Sequence, residues 1–194
     1  MRAILLLPIL IVSHCVMGDA PSPPMCRIDK TYLETVTGSA GCIIRSGKAL
    51  LTITHRLSHK YAIPGGKSNG ETESAQCTAH RKTWEKTGFN VEIGPLLGIN
   101  EDQFRYYACE LDDDFDGEML TFPTPDWTED KVESIQLIDP FDTQHFHWRF
   151  PDRLILLRDM FNELGKIQHQ STQQTAQTQH LTDWQKPVPS RSDK

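Results

Sequence analysis

Long runs of one charge sign are missing from this chain, and beyond its first dozen residues so are long apolar runs. Without a Lys/Arg cluster there is no electrostatic footprint for a nucleic-acid polymer. Without a second apolar segment there is nothing past the N-terminus to cross a bilayer. No C-x2-C pair exists, so the cysteines do not carry a zinc spacing. The G-x-S-x-G elbow and the P-loop are both absent, which removes support for serine-hydrolase and P-loop readings. No internal repeat is visible. What is present is ordinary for a soluble acidic protein: 194 residues, 38% hydrophobic, net charge -6. That length suits one domain plus appendages. A net acidic protein binds phosphate only through a metal or a local basic pocket.

The first 18 residues read as a secretory signal. Arg2 supplies the charged start, and Ala3 to Val12 the apolar core, which is too short to span a bilayer. Cleavage is expected after Gly18, with no stable membrane anchor afterwards. Bulky His14 before Cys15 argues against lipid attachment there. The expected destination is periplasmic or secreted.

Removal of the signal leaves Cys26, Cys42, Cys77 and Cys109. In an oxidising compartment these allow three pairings, and free buried thiols are a further reading. The preferred pairs are Cys26 with Cys77, tying the N-terminal arm to a helix, and Cys42 with Cys109, joining two strands.

Residues 19–26 are a Pro-rich lead-in, and 27–165 the folded domain. Strands are expected at Tyr32–Val36, Gly38–Arg45, Ala49–Arg56, Tyr61–Ile63, Phe89–Ile99, Phe104–Leu111 and Ser134–Pro140. Gly38–Arg45 and Ala49–Arg56 read as hairpin partners about the Ser46–Lys48 turn. A helix is expected over Ala75–Thr87, with Ser74 as N-cap and Gly88 as left-handed C-cap. A second starts after Pro151, repeats Leu154, Leu157, Phe161 and Leu164, and ends at Gly165. From Lys166 to Lys194 the chain is rich in Gln and Thr and is expected to be disordered.

The central stretch runs from Tyr61-Ala62-Ile63-Pro64-Gly65-Gly66-Lys67 to Thr87-Gly88-Phe89. Gly66, Glu73, Arg81, Glu85, Gly88 and Phe89 resemble the Nudix box, G-x5-E-x7-R-E-U-x-E-E-x-G-U with U apolar. The run Ser74 to Arg81 is similar to that of exported bacterial Nudix proteins. Three positions depart from the pattern. Gly66 to Glu73 is one residue longer, and Lys82 and Lys86 stand where Glu is expected. The resemblance implies an α/β fold, a Nudix-like α/β/α sandwich around a mixed β-sheet. It also implies hydrolysis of a pyrophosphate bond in a small nucleoside-diphosphate derivative, with Mg2+ or Mn2+ as cofactor.

The chemistry behind that pattern is general. A multiply charged pyrophosphate needs a cation to admit attacking water, and carboxylate oxygens are the ligands Mg2+ prefers. Positions 82, 85 and 86 share one helical face. A protonated lysine cannot ligate a metal, so Lys82 and Lys86 impair that patch. By resemblance, Glu73, Arg81 and Glu85 are the catalytic candidates, and Gly65, Glu73 and Glu85 the metal candidates. Gly66, Lys82 and Lys86 become candidates for phosphate. Glu129 or Glu133 is a candidate for a distal carboxylate. The leading reading is a Nudix-type hydrolase with an impaired metal site. The alternative is an inactive Nudix-fold protein that binds a phosphorylated ligand or a protein partner. Substrate-selecting loops are expected at 57–60, 100–103 and 118–131. Asp112–Gly117 reads as a solvated acidic turn, and His145 and His147 as part of an aromatic connection.

Overall fold

In a computed structural model, the structure describes residues 21–111 and 120–184. The expected signal segment and the acidic turn at 112–117 lie outside the described residues. Among the described residues nine strands form two sheets: β1 Ala40–Ile43, β2 Arg45–Ser46, β3 Ala49–His55, β4 Lys60–Ala62, β5 Gly65–Gly66, β6 Val91–Ile99, β7 Arg105–Leu111, β8 Thr121–Phe122 and β9 Val132–Ile138. The first sheet runs β5-β1-β7-β6 and is mixed, because β1 and β7 are parallel. The second runs β2-β3-β9-β8 with β4 on β3, all antiparallel. Among the described residues no helix is long and apolar enough to cross a membrane.

Helix α1, Ala75–Thr87, starts and stops where its caps dictate. The Ser74 hydroxyl accepts from the Cys77 amide at 3.1 Å, and Gly88 takes the left-handed conformation at φ 74°. Its Ala75 and Ala79 are fully buried in a core with Ile53, Ile93, Tyr107 and Ile135. Small residues on that face let the helix lie close to β1. On the other side, α2 (Leu154–Trp184) buries Leu154, Leu157, Met160, Phe161 and Leu164 against Ile43, Tyr106, Ala108 and Trp148. Each such leucine contributes roughly 1.5–3 kcal/mol by leaving water.

Both preferred disulfides are present. Cys26–Cys77 and Cys42–Cys109 have Cα separations of 5.4 and 5.5 Å. They fit an oxidising, non-cytoplasmic compartment.

Three expectations are corrected. Tyr32–Val36 is not a strand. Asp29 accepts from the Thr31 amide at 2.9 Å and caps a 3-10 turn, Lys30–Tyr32. The Gln76 side chain then takes the Tyr32 carbonyl and the Glu34 amide, so no ladder forms. The hairpin about residues 47–48 is made by β2, not β1, since the chain passes from one sheet to the other at Ile44. Finally, α2 does not end at Gly165 but continues to Trp184, through most of the stretch expected to be disordered. Gly165 serves close packing: a Cβ there would overlap the Arg45 guanidinium. Arg45 itself donates to the Phe161 carbonyl at 3.1 Å and lies over the Phe161 ring.

Candidate functional site

The N-terminal arm fixes α1 in place. Cys26 is bonded to Cys77, the Ala75 amide donates to the Val36 carbonyl at 2.7 Å, and Gln76 holds the arm from inside. The helix therefore presents Arg81, Lys82, Glu85 and Lys86 towards the Gly65–Gly66 turn. That turn is held against β1 in the register Ala40↔Gly66, Gly41↔Gly65. The pairing is tight: a Cβ on Gly65 would come within 2.7 Å of the Gly41 Cα and 2.8 Å of the Ala40 carbonyl oxygen. The aliphatic stem of Lys82 packs on Gly66.

A network of opposite charges covers this face. Arg81 donates to Glu73 from Nε and Nη2, both at 2.6 Å, and from Nη1 to Glu85 at 2.6 Å. Glu73 also accepts from the Asn69 amide at 2.6 Å and the Thr78 hydroxyl at 2.9 Å. The Arg81 hydrogen bonds, helped by Asn69 and Thr78, outweigh burial and hold the Glu73 carboxyl down to about 2. Glu85 feels burial most strongly. Hydrogen bonds from Lys82 and Arg81 nevertheless bring its pKa below the usual carboxylate value. The Lys82 ammonium lies 2.5 Å from the second Glu85 oxygen.

Lys86 has a different partner. Its ammonium donates to the Gly65 carbonyl at 2.5 Å. Burial, reinforced by Arg149 and Lys82 and opposed by Glu85, lowers its pKa to about 8. It remains mostly charged near neutrality, and one of its three donors is spent on Gly65.

Lys86 and the turn open onto a cleft of about 460 Å³, a volume typical of small-ligand sites. Gly65, Gly66, Lys67 and Lys86 line it, together with Phe104, Tyr106, Arg149, Phe150 and Arg153. The segment carrying Arg149 is pinned by its amide to the Tyr61 carbonyl at 2.9 Å. Trp148 anchors it further, donating from its indole to Thr143 at 2.8 Å. Arg153 pairs with Asp102 and lies over the Phe150 ring at 4.3 Å.

The sequence-derived candidates divide into two groups. Glu73, Arg81, Lys82 and Glu85 are brought together as an ion network beside the cleft, whereas Gly65, Gly66 and Lys86 line it. Glu133 is paired with His59 at 2.7 Å, and Glu129 sits at the end of a 3-10 turn, so neither joins the network. Among the described residues of the expected selecting loops, only Asp102 of 100–103 lines the cleft. Arg149, Phe150 and Arg153 were not foreseen. Their signal was the density of rings and guanidiniums in Trp148-Arg149-Phe150, legible only as a connection.

A divalent metal does not fit the donors as they are arranged. Mg2+ and Mn2+ need several free oxygens. Both Glu73 oxygens accept from Arg81, both Glu85 oxygens accept from cations, and the Gly65 carbonyl accepts from Lys86. Among the described residues no group of three His, Cys, Asp or Glu side chains is placed to hold a metal.

A mixed sheet with a helix on each side, and a Gly-rich turn facing the first helix, make a Nudix-like α/β/α sandwich. No protein-family model matches the chain. A MutT-like protein from Streptomyces ambofaciens is 24% identical over 147 residues, covering 69% of this chain and 89% of that protein. Among solved structures, a UDP-X diphosphatase superposes with a TM-score of 0.51 at 14% identity. That match covers 68% of this chain and 65% of the diphosphatase, so the chain spans just under two thirds of its length. A NUDIX hydrolase from Nitrosomonas europaea gives a TM-score of 0.46 at 18% identity, over 71% of this chain and 75% of that one.

Proposed function

We propose that this protein uses the Nudix fold to bind a phosphorylated small molecule of the nucleoside-diphosphate type, with lysine ammoniums in place of a divalent cation. Hydrolysis of the pyrophosphate bond is correspondingly impaired. The observation that carries this reading is Lys86 on the Gly65 carbonyl. It puts a fixed positive charge between the helix and the turn, at the wall of a ligand-sized cleft. The likeness to a UDP-X diphosphatase supports the ligand class. We further propose that residues 1–18 are a signal peptide and that the mature chain is exported, which the two disulfides support.

A second reading is a working hydrolase of low metal affinity. The retention of Glu73, Arg81 and Glu85 at the spacing of the Nudix resemblance favours it. Calorimetry with a panel of nucleoside-diphosphate derivatives, with and without Mg2+, run beside phosphate-release assays, separates the two. Binding without metal and without release supports the proposal. Metal-dependent turnover supports the hydrolase. No binding of any panel member contradicts both.

A further inference from the structure

We infer that Arg149 and Lys86 together form a metal-independent anion site, and that a flat apolar group attached to the anion packs against the Phe104 and Phe150 wall of the same cleft. The inference rests on the phosphorylated-ligand reading above and assigns the residues that would recognise the ligand.

The charge balance of the cleft is the first argument. The chain carries a net charge of -6, yet among the described residues this cleft gathers Lys67, Lys86, Arg149 and Arg153 against one carboxylate. That carboxylate, Asp102, is engaged with Arg153. Among the described residues no carboxylate pairs with Arg149 or Lys67. Like charges confined to one concave surface repel each other and focus a positive field into it. A multiply charged anion relieves that repulsion.

The second argument is geometry. Arg149 is fixed through its backbone to Tyr61, and its guanidinium leans on the Phe150 ring at 5.5 Å. It lines the same cleft as Lys86. A guanidinium offers a planar fork suited to two phosphate oxygens, and Lys86 offers the donors left after Gly65. The two come from different elements, α1 and the segment before α2, and line one opening.

The third argument is the remaining wall. Phe104 and Phe150 both line the cleft, and Phe104 rests on the Tyr106 ring at 4.9 Å between centroids. Aromatic faces beside guanidiniums suit stacking of a planar ring. An inorganic anion alone would leave that surface uncovered. A phosphorylated compound with a planar aromatic end covers both the cationic and the aromatic surface.

The test is calorimetry on the full chain in excess EDTA, with inorganic pyrophosphate and ADP as probes. Both are expected to bind without metal, ADP more tightly by roughly tenfold from ring stacking. Arg149→Ala and Lys86→Gln are each expected to weaken both probes by about tenfold or more, the scale of a lost charge-assisted hydrogen bond. Phe150→Ala is expected to weaken ADP but not pyrophosphate. Circular dichroism of each variant checks that it is folded, and Arg149, being exposed, should leave the fold unchanged. Unchanged affinity in both folded cation variants overturns the inference while leaving the phosphorylated-ligand reading intact. Binding of the probes only with added Mg2+ overturns it in favour of a metal-assisted site. Equal affinity for pyrophosphate and ADP overturns the aromatic part. No binding of these probes or of any panel member overturns the inference and the reading together.

Discussion

The Lys86 ammonium reaches the Gly65 carbonyl at 2.5 Å and so ties the last turn of α1 to the turn that follows β4. This one contact connects fold to chemistry. It occupies a backbone oxygen that the Nudix resemblance assigns to metal, and it holds a positive charge at the cleft wall.

Burial of that charge has a stability cost. The folded pKa of Lys86 lies near 8, below its unfolded value. Between the two values the unfolded chain binds more protons, so stability rises with pH across roughly pH 8 to 10. Lys86→Met is expected to raise stability at neutral pH by about 1–2 kcal/mol after allowance for solvent screening. The gain should fade above about pH 10, and urea melts across that range check it.

Ligand affinity should move the other way. Lys86 is influenced by Arg149, Lys82 and Glu85, and His55, held below its ordinary value by burial and by Arg149 and Lys86, is neutral near pH 7. Loss of the Lys86 proton then removes a positive charge from the cleft. Pyrophosphate affinity is expected to fall by about tenfold between roughly pH 7 and pH 10. Lys86→Gln should flatten that profile in calorimetry.

Glu73 gives an acid-side signature. Its carboxyl is held near 2 chiefly by Arg81. The stability this adds is complete above the unfolded carboxyl pKa and is lost as pH falls through about 2. Glu73→Gln is expected to cost about 1–2 kcal/mol at neutral pH, discounted for solvent screening. The cost should disappear in strong acid, as followed by circular dichroism.

The disulfides close loops of 51 and 67 residues. In the chain-entropy picture each contributes about 4 kcal/mol. The double change Cys42→Ser plus Cys109→Ser should lower stability by that order. Loss of Cys26–Cys77 should in addition loosen the arm over α1, raising amide exchange at Ala75 and Gln76.

Gly65→Ala tests the turn. The new methyl would meet Gly41 and Ala40 backbone atoms within 3 Å, so β5 must separate from β1. A loss of about 2–3 kcal/mol is expected in thermal melts, together with loss of ligand binding.

Legibility in the sequence followed locality. Helix α1 could be placed at Ala75–Thr87 because its caps, Ser74 and Gly88, are local signals. The order of strands and helix brings Cys26 to Cys77 and Cys42 to Cys109. Gly165 misled because glycine marks both a helix end and a close contact, and only the fold shows Arg45 against it. The same holds for the site. The α1 half was visible as spacing along one helix, whereas Arg149 and Phe150 join it only through tertiary pairing with Tyr61. Glu129 and Glu133 were plausible in composition, but β9 begins at Val132 and directs Glu133 to His59.

The central claim is that lysines have taken the place of a metal. Titration of Mg2+ and Mn2+ into the natural chain and into Lys82→Glu plus Lys86→Glu tests it most directly. The account predicts no saturable metal binding by the natural chain and measurable binding by the double variant, whose carboxylates restore the oxygen donors. Saturable binding of Mg2+ by the natural chain, with turnover of a nucleoside-diphosphate derivative, would contradict it.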